Sequence, residues 1–226
     1  MSTVPLVRCA GAARTYGSGA TATVALQPTD CAVLPGARTA LMGPSGSGKS
    51  TLLHLMGGLD DPTRGTVEWP AIGTRAALRP GPVATVFQGP SLLPPLTVAE
   101  NVALPLALVD VGPAEARDRA LAALEQLGLT ALADKLPDEL SGGQAQRVAV
   151  ARALIGAPVL ILADEPTGQL DRFHGTLVVD ALLHAAERTG AALVVATHDE
   201  TVADRFDACW RMRDGLLSTE VARCSS

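Results

Sequence analysis

The sequence predicts an α/β fold: a parallel sheet covered by helices on both faces, after a β-rich first third and a helical middle. Three observations carry this. The first third is built from short Val/Thr/Leu/Ala segments separated by Gly and Pro. The middle, over about residues 89–151, places apolar residues at helical spacing. The last third alternates continuous apolar runs of strand length with helical segments, the pattern of strands buried on both faces.

In chain order, the strand-like segments of the first third are Val4–Cys9, Ala20–Leu26, Thr39–Met42, Thr66–Trp69 and Ala84–Phe87. A helix is predicted from Pro113, whose fixed φ suits a first turn, through Leu121, Leu124 and Leu127 to a closing Gly128. A second helix covers Gly142–Leu154. A strand at Val159–Ala163, a helix at Thr176–Thr189, a strand at Ala192–Thr197 and a short helix at Thr201–Arg205 follow. No repeat or linker divides the chain. Its 226 residues read as one domain, with core and β portion over about 1–88 and 152–226 and a helical part over about 89–151.

Composition narrows the function. With 47% apolar and 18% charged residues the chain is globular. Eighteen basic against 23 acidic residues give a net charge of −5, which lacks the basic surplus that attracts nucleic-acid backbones. Cys9, Cys31, Cys209 and Cys224 form no CxxC pair and read as reduced thiols of a cytosolic protein. The N-terminus, Met1 to Tyr16, has no apolar stretch of signal-peptide length. The longest uncharged apolar run, Ala153–Ala163, has 11 residues and is broken by Gly156 and Pro158, short of the ~18 a membrane span needs. Only two basic residues are lysines, Lys49 and Lys135, so the place of each is informative.

Lys49 stands in the segment Gly43-Pro44-Ser45-Gly46-Ser47-Gly48-Lys49-Ser50-Thr51, between a strand ending at Met42 and the apolar run Leu52–Met56. This is GxxxxGK[ST] in strand–loop–helix context, expected about 0.002 times by chance in a chain of this composition. Glycines let bare backbone N–H groups approach the negative oxygens of a polyphosphate, and the helix N-terminus adds its positive end. Lys49 supplies a point charge to the outer phosphates, and the Ser50 hydroxyl is a ligand for Mg²⁺. The segment predicts a nucleotide site.

The apolar strand Val159–Ala163 runs into Asp164-Glu165-Pro166, at the carboxyl edge of the sheet where ligands bind in open α/β folds. By itself this is an ordinary turn. With a phosphate loop upstream, Asp164 suits Mg²⁺ and Glu165 suits a general base that polarises water. Leu140-Ser141-Gly142-Gly143-Gln144 opens the second helix. Ser141 and Gln144 spell a capping box, which leaves two first-turn glycines unexplained at about 1 kcal/mol each. Bare N–H groups and a hydroxyl at a helix start make a second phosphate device.

The phosphate loop, the LSGGQ segment and the acidic strand, in this order and spacing, resemble the ATP-binding subunit of an ABC transporter, over about Val4 to Leu217. The phrases Gly58-Leu-Asp-Asp-Pro-Thr-Arg-Gly65 and Leu96-Thr-Val-Ala-Glu-Asn-Val-Ala-Leu-Pro105 resemble the branch that serves lipoprotein release and macrolide export. The chain departs from that branch in a shorter, proline-rich Glu68–Val86 stretch, in Gln169 and in Pro95.

The resemblance implies a P-loop NTPase (RecA-like) parallel-sheet core with an N-terminal antiparallel β-subdomain and a helical insert, ATP with Mg²⁺, and an ATPase that powers a separate membrane permease. It implies that Tyr16 stacks on adenine and that Gln88 touches Mg²⁺ and reports to the permease. It implies that Asp171 lies at a dimer seam and that His198 contacts the γ-phosphate. Two copies would close head-to-tail, the phosphate loop of one facing Ser141–Gln144 of the other, with no nucleic acid involved. Location on the inner face of the cell membrane follows. An ATPase that regulates a permease-like cell-division partner, and a non-transport ABC ATPase, are the other readings of the same motifs.

Overall fold

The computed structural model describes residues 4–222 and holds two sheets. The first is antiparallel, in the order β2-β1-β4: β1 Val7–Tyr16, β2 Thr23–Val33 and β4 Arg64–Glu68. The second has six strands, in the order β5-β6-β7-β3-β8-β9: β3 Arg38–Met42, β5 Val83–Val86, β6 Leu160–Asp164, β7 Ala192–Thr197, β8 Ala208–Arg213 and β9 Leu216–Ala222. Its first five strands in that order are parallel, and β9 turns back antiparallel on β8.

Helices α1 Lys49–Met56, α2 Val98–Ala107, α3 Pro113–Gln126, α4 Gly142–Leu154, α5 Arg172–Thr189 and α6 Glu200–Ala203 cover this sheet. The two-residue period of the strands sorts the core into two layers. Leu160, Leu162, Val194 and Ala196 face α1 and the small antiparallel sheet. Ile161, Ala163, Leu193 and Val195 face the other side and pack with α2 to α5. β6 and β7 are therefore apolar up to their last residue, the continuous pattern seen in the sequence.

Several boundaries move from their expected places. β1 starts at Val7 rather than Val4 and continues to Tyr16, and β2 runs to Val33. Gly11 (φ 54°) and the neighbouring register shifts absorb bulges in a ladder that continues past them, so glycine here does not end the strand. α5 begins at Arg172 instead of Thr176: Asp171 caps it by accepting the His174 N–H at 2.9 Å, and Gly175 sits inside the helix. The last helix is only Glu200–Ala203. Helix α2, opened by a Thr97–Glu100 capping box, and the β8–β9 hairpin have no counterpart among the expected elements.

The cysteine expectation is corrected in part. Cys9 and Cys31 are free thiols, opposite one another on β1 and β2, and the neighbouring Cys9 together with burial pushes the Cys31 thiol well up. Cys209, which pairs with Ala222 of β9, is disulfide-bonded; Cys224 lies outside the described residues. The short Glu68–Val86 stretch is anchored by Trp69, whose Nε1–H donates to the Met56 carbonyl at 2.7 Å, and by the fully buried Leu78.

Candidate functional site

The phosphate loop bridges β3 and α1 at the carboxyl edge of the parallel sheet. Its glycines are required by contact as well as conformation. A Cβ at Gly43 would stand 2.2 Å from the Met212 carbonyl oxygen, and one at Gly48 (φ 106°) 2.3 Å from the Ala25 carbonyl oxygen. Gly48 is the N-cap of α1 and offers no side-chain cap, so the first-turn N–H groups keep no internal partner. Ser47 Oγ is also buried without a hydrogen-bond partner. The cradle fits a polyphosphate.

Lys49 folds back over the loop and is 6% exposed. Its Nζ donates to the carbonyls of Gly43 (2.8 Å) and Pro44 (3.1 Å) and lies 3.4 Å from Glu165 Oε1. Glu165 follows β6 directly, with φ 44°, in the left-handed region that a non-glycine residue occupies at a cost of about 1–3 kcal/mol. Its own N–H donates to Ala196 of β7 at 3.0 Å, which fixes the turn. Its Oε2 lies 2.9 Å from Nδ1 of His198, the exposed residue that follows β7. One buried carboxylate is thus held between an ammonium and an imidazole. Next to it, Asp164 Oδ1 is buried with no hydrogen-bond partner, the state of an acceptor that fits a hydrated cation. Among the described residues no group of three His, Cys, Asp or Glu is placed to hold a metal ion.

The other expected residues lie as follows. Pro44, Ser45, Gly46, Ser50 and Gln88 are exposed, and Thr51 is half-buried in α1. Tyr16 ends β1 and is 40% exposed, with its hydroxyl on Asp60. Ser141 caps α4: its hydroxyl accepts the Gln144 N–H at 3.2 Å, and Gln144 Oε1 accepts the Ser141 N–H at 2.8 Å. Ser141, Gly143 and Gln144 line a cavity of about 220 Å³ together with Asp171 and His174, and no phosphate-loop residue borders it. The Asp171 carboxyl is held below its ordinary range, first by the His174 backbone N–H and then by the His174 ring at 2.7 Å. Lys49, Glu165 and His198 come together. Ser141–Gln144 and Asp171 gather apart from them.

Four residues of this region were not singled out by sequence reasoning. Gln146, 1% exposed on α4, donates its Nε2–H to the Phe87 carbonyl at 2.9 Å, beside Gln88. A polar residue inside the run of buried positions Ala145–Ala151 was the available signal. His174 pairs with Asp171 at i,i+3, so an Asp-x-x-His spacing at a helix start was the available signal there. Arg14 and Asp60 had none, because their pairing is set by tertiary structure.

Residues 26–168 match the family model described as ABC transporter. The chain belongs to that family. It is an ATPase of the ABC type. It is 43% identical over 211 residues to the lipoprotein-releasing system ATP-binding protein LolD of Legionella pneumophila (strain Paris), covering 90% of this chain and 93% of that protein. Among solved structures, the dimeric post-hydrolysis state of the ATP-binding cassette MJ0796 bound to ADP and Pi superposes with a TM-score of 0.87 at 36% identity, over 96% of this chain and 99% of that one. CbiO1 of Clostridium perfringens, part of the ABC transporter complex cbiONQ, gives a TM-score of 0.78 at 28% identity, over 95% and 88%.

Proposed function

We propose that this ABC cassette hydrolyses ATP at two composite sites between two copies of the chain and so drives a separate membrane permease of the lipoprotein-release type. The observation that carries the chemistry is Glu165, a buried carboxylate at the strand end with Lys49 and His198 on its two oxygens. An arriving triphosphate competes for Lys49 and leaves Glu165 paired to His198 alone, oriented to take a proton from water. Lys49 and the first-turn N–H groups of α1 then carry the charge that builds on the outer phosphates. His198 holds the far side of the carboxylate and reaches toward the γ-phosphate. Ser50, Asp164 and Gln88 would hold Mg²⁺, which would supply neutralising charge for the phosphates. Tyr16 takes the adenine.

Ser141–Gln144 and Asp171 face a cavity of their own, which fits them to the γ-phosphate bound by a second copy. The permease reading is supported by a groove of about 530 Å³ lined by Phe87, Leu104, Leu108 and Val109, with Arg79 and Arg152 at its rim. Leu108 and Val109 are 63% and 49% exposed, an apolar face suited to an amphipathic segment of a partner that carries acidic residues. No described helix is long and apolar enough to cross a membrane, so we place the cassette peripherally, on the permease.

Mixing two inactive variants tests the composite site. Lys49→Ala alone and Ser141→Arg alone are each expected to lose phosphate release. In a head-to-tail pair both lesions fall on one site and the other is intact, so activity returns on mixing. Wild-type hydrolysis by Ser141→Arg alone would refute the shared site.

A further inference from the structure

Tyr16 stands at the end of β1, paired with Thr23 of β2, and β2 in turn lies against the phosphate loop through Ala25. The ring is held from two directions. Its hydroxyl donates to Asp60 Oδ2 at 2.8 Å, and the Arg14 guanidinium carbon sits 4.7 Å from the ring centroid. Arg14 Nη2 closes the triangle at 2.7 Å from Asp60 Oδ1. Asp60 belongs to the loop that leaves α1, and its Oδ1 also accepts the Asp61 N–H at 2.8 Å. Burial acts to raise the Asp60 pKa, yet the Tyr16 hydroxyl, the Asp61 N–H and Arg14 outweigh it and hold the carboxyl below its ordinary range. The group is therefore a permanent acceptor at neutral pH.

A cation on one face of an aromatic ring leaves a flat ligand only the other face. With both partners in place Tyr16 is still 40% exposed, so ring surface remains for a ligand. A ring free to rotate would have to be ordered when a base stacks on it, and each such side chain costs a factor of about three to ten in affinity. Here the ordering is done before the ligand arrives.

We propose that Arg14 and Asp60 are positioning residues of a base-binding platform: they lock Tyr16 with one face closed by guanidinium and the other presented to the purine ring of a nucleotide. The proposal rests on the reading of Tyr16 as the adenine-stacking residue and adds the groups that make it rigid. Asp60 also ties the platform to the helix that starts at Lys49, so base and phosphates are gripped by one connected unit.

Calorimetric binding of Mg-ATP and of Mg-tripolyphosphate, which has the phosphates and no base, separates the possibilities. Tyr16→Ala should weaken ATP by tenfold or more. Tyr16→Phe, which keeps the ring and loses the tether, and Asp60→Asn should each weaken ATP about three- to tenfold. The double variant should lose less than the sum of the two, because both act on the Tyr16–Asp60 bond while Asp60→Asn also weakens the Arg14 pair. Tripolyphosphate affinity should stay within twofold of wild type in all of them. If Tyr16→Ala binds ATP like wild type, the stacking reading itself fails. If Tyr16→Ala is impaired while Tyr16→Phe and Asp60→Asn match wild type, stacking stands and the positioning role is overturned. Equal losses for ATP and tripolyphosphate in Asp60→Asn would also overturn it, by making Asp60 a support of the loop in general.

Discussion

Glu165→Gln isolates the chemistry of the site from its shape. The amide has nearly the volume of the carboxylate, keeps the turn fixed by the 165 N–H bond to Ala196, and can still meet His198 where Oε2 now lies at 2.9 Å. What is lost is the negative charge and the proton acceptor. Removal of a general base slows a reaction by about 10²–10⁴-fold. At 1.36 kcal/mol per decade this raises the barrier by about 2.7–5.4 kcal/mol. A smaller effect falls on the nucleotide-free protein. Lys49 loses its 3.4 Å partner but keeps the carbonyls of Gly43 and Pro44. A long contact to a charged group is worth about 1.5 kcal/mol. At ~2–4 °C per kcal/mol that lowers the melting temperature by about 3–6 °C. ATP restores it by giving Lys49 a new anion. The assays are phosphate release under saturating Mg-ATP, and size-exclusion chromatography of the variant with Mg-ATP, where a long-lived dimer is expected. Phosphate release within threefold of wild type would show that Glu165 is not the base.

Two further outcomes follow from the fold. Trp69→Phe leaves the Met56 carbonyl without its donor in a buried position, so urea unfolding should show a loss of about 1–3 kcal/mol; a change under 0.5 kcal/mol would mean the indole bond contributes nothing. The bonds to His174 hold the Asp171 carboxyl below the ordinary carboxylate range, so the stability it lends to the start of α5 is complete above that range and lost as pH falls through its lowered pKa. Hydrogen exchange at the His174 amide should therefore be protected at neutral pH and open in acid, and a pH-independent rate would contradict the cap.

Much of the site was legible because its chemistry is local in sequence. The strand–loop–helix at Gly43–Thr51, the carboxylates after β6 and the capping box at Ser141 each need only neighbours, so a short window contains the whole argument. The strands were harder. Gly11 reads as a break until the ladder across β1 and β2 is seen to accommodate it as a bulge, and Gly175 hid the first turn of α5 for the same reason. Residues that act across the chain gave no signal. Asp60 is 44 positions from Tyr16, and Gln146 is 59 from Phe87, so neither bond can be read from spacing. The pairing of Cys209 likewise depends on a hairpin the sequence pattern did not reveal.

The stretch from Phe87 to Ser91 is pinned to α4 at both of its ends. Gln146 holds the Phe87 carbonyl, and Arg152 holds the carbonyl and hydroxyl of Ser91 at 2.8 and 2.7 Å. Gln88 lies between these pins, so it is carried by the helix rather than by the strand it follows. A push on this segment from the adjoining groove is therefore delivered to α4 as a rigid displacement, and Ser141 sits at the tip of that lever. On the proposed two-copy site, such gearing would link a partner seated in the groove to the ATP of the other copy in a single mechanical step.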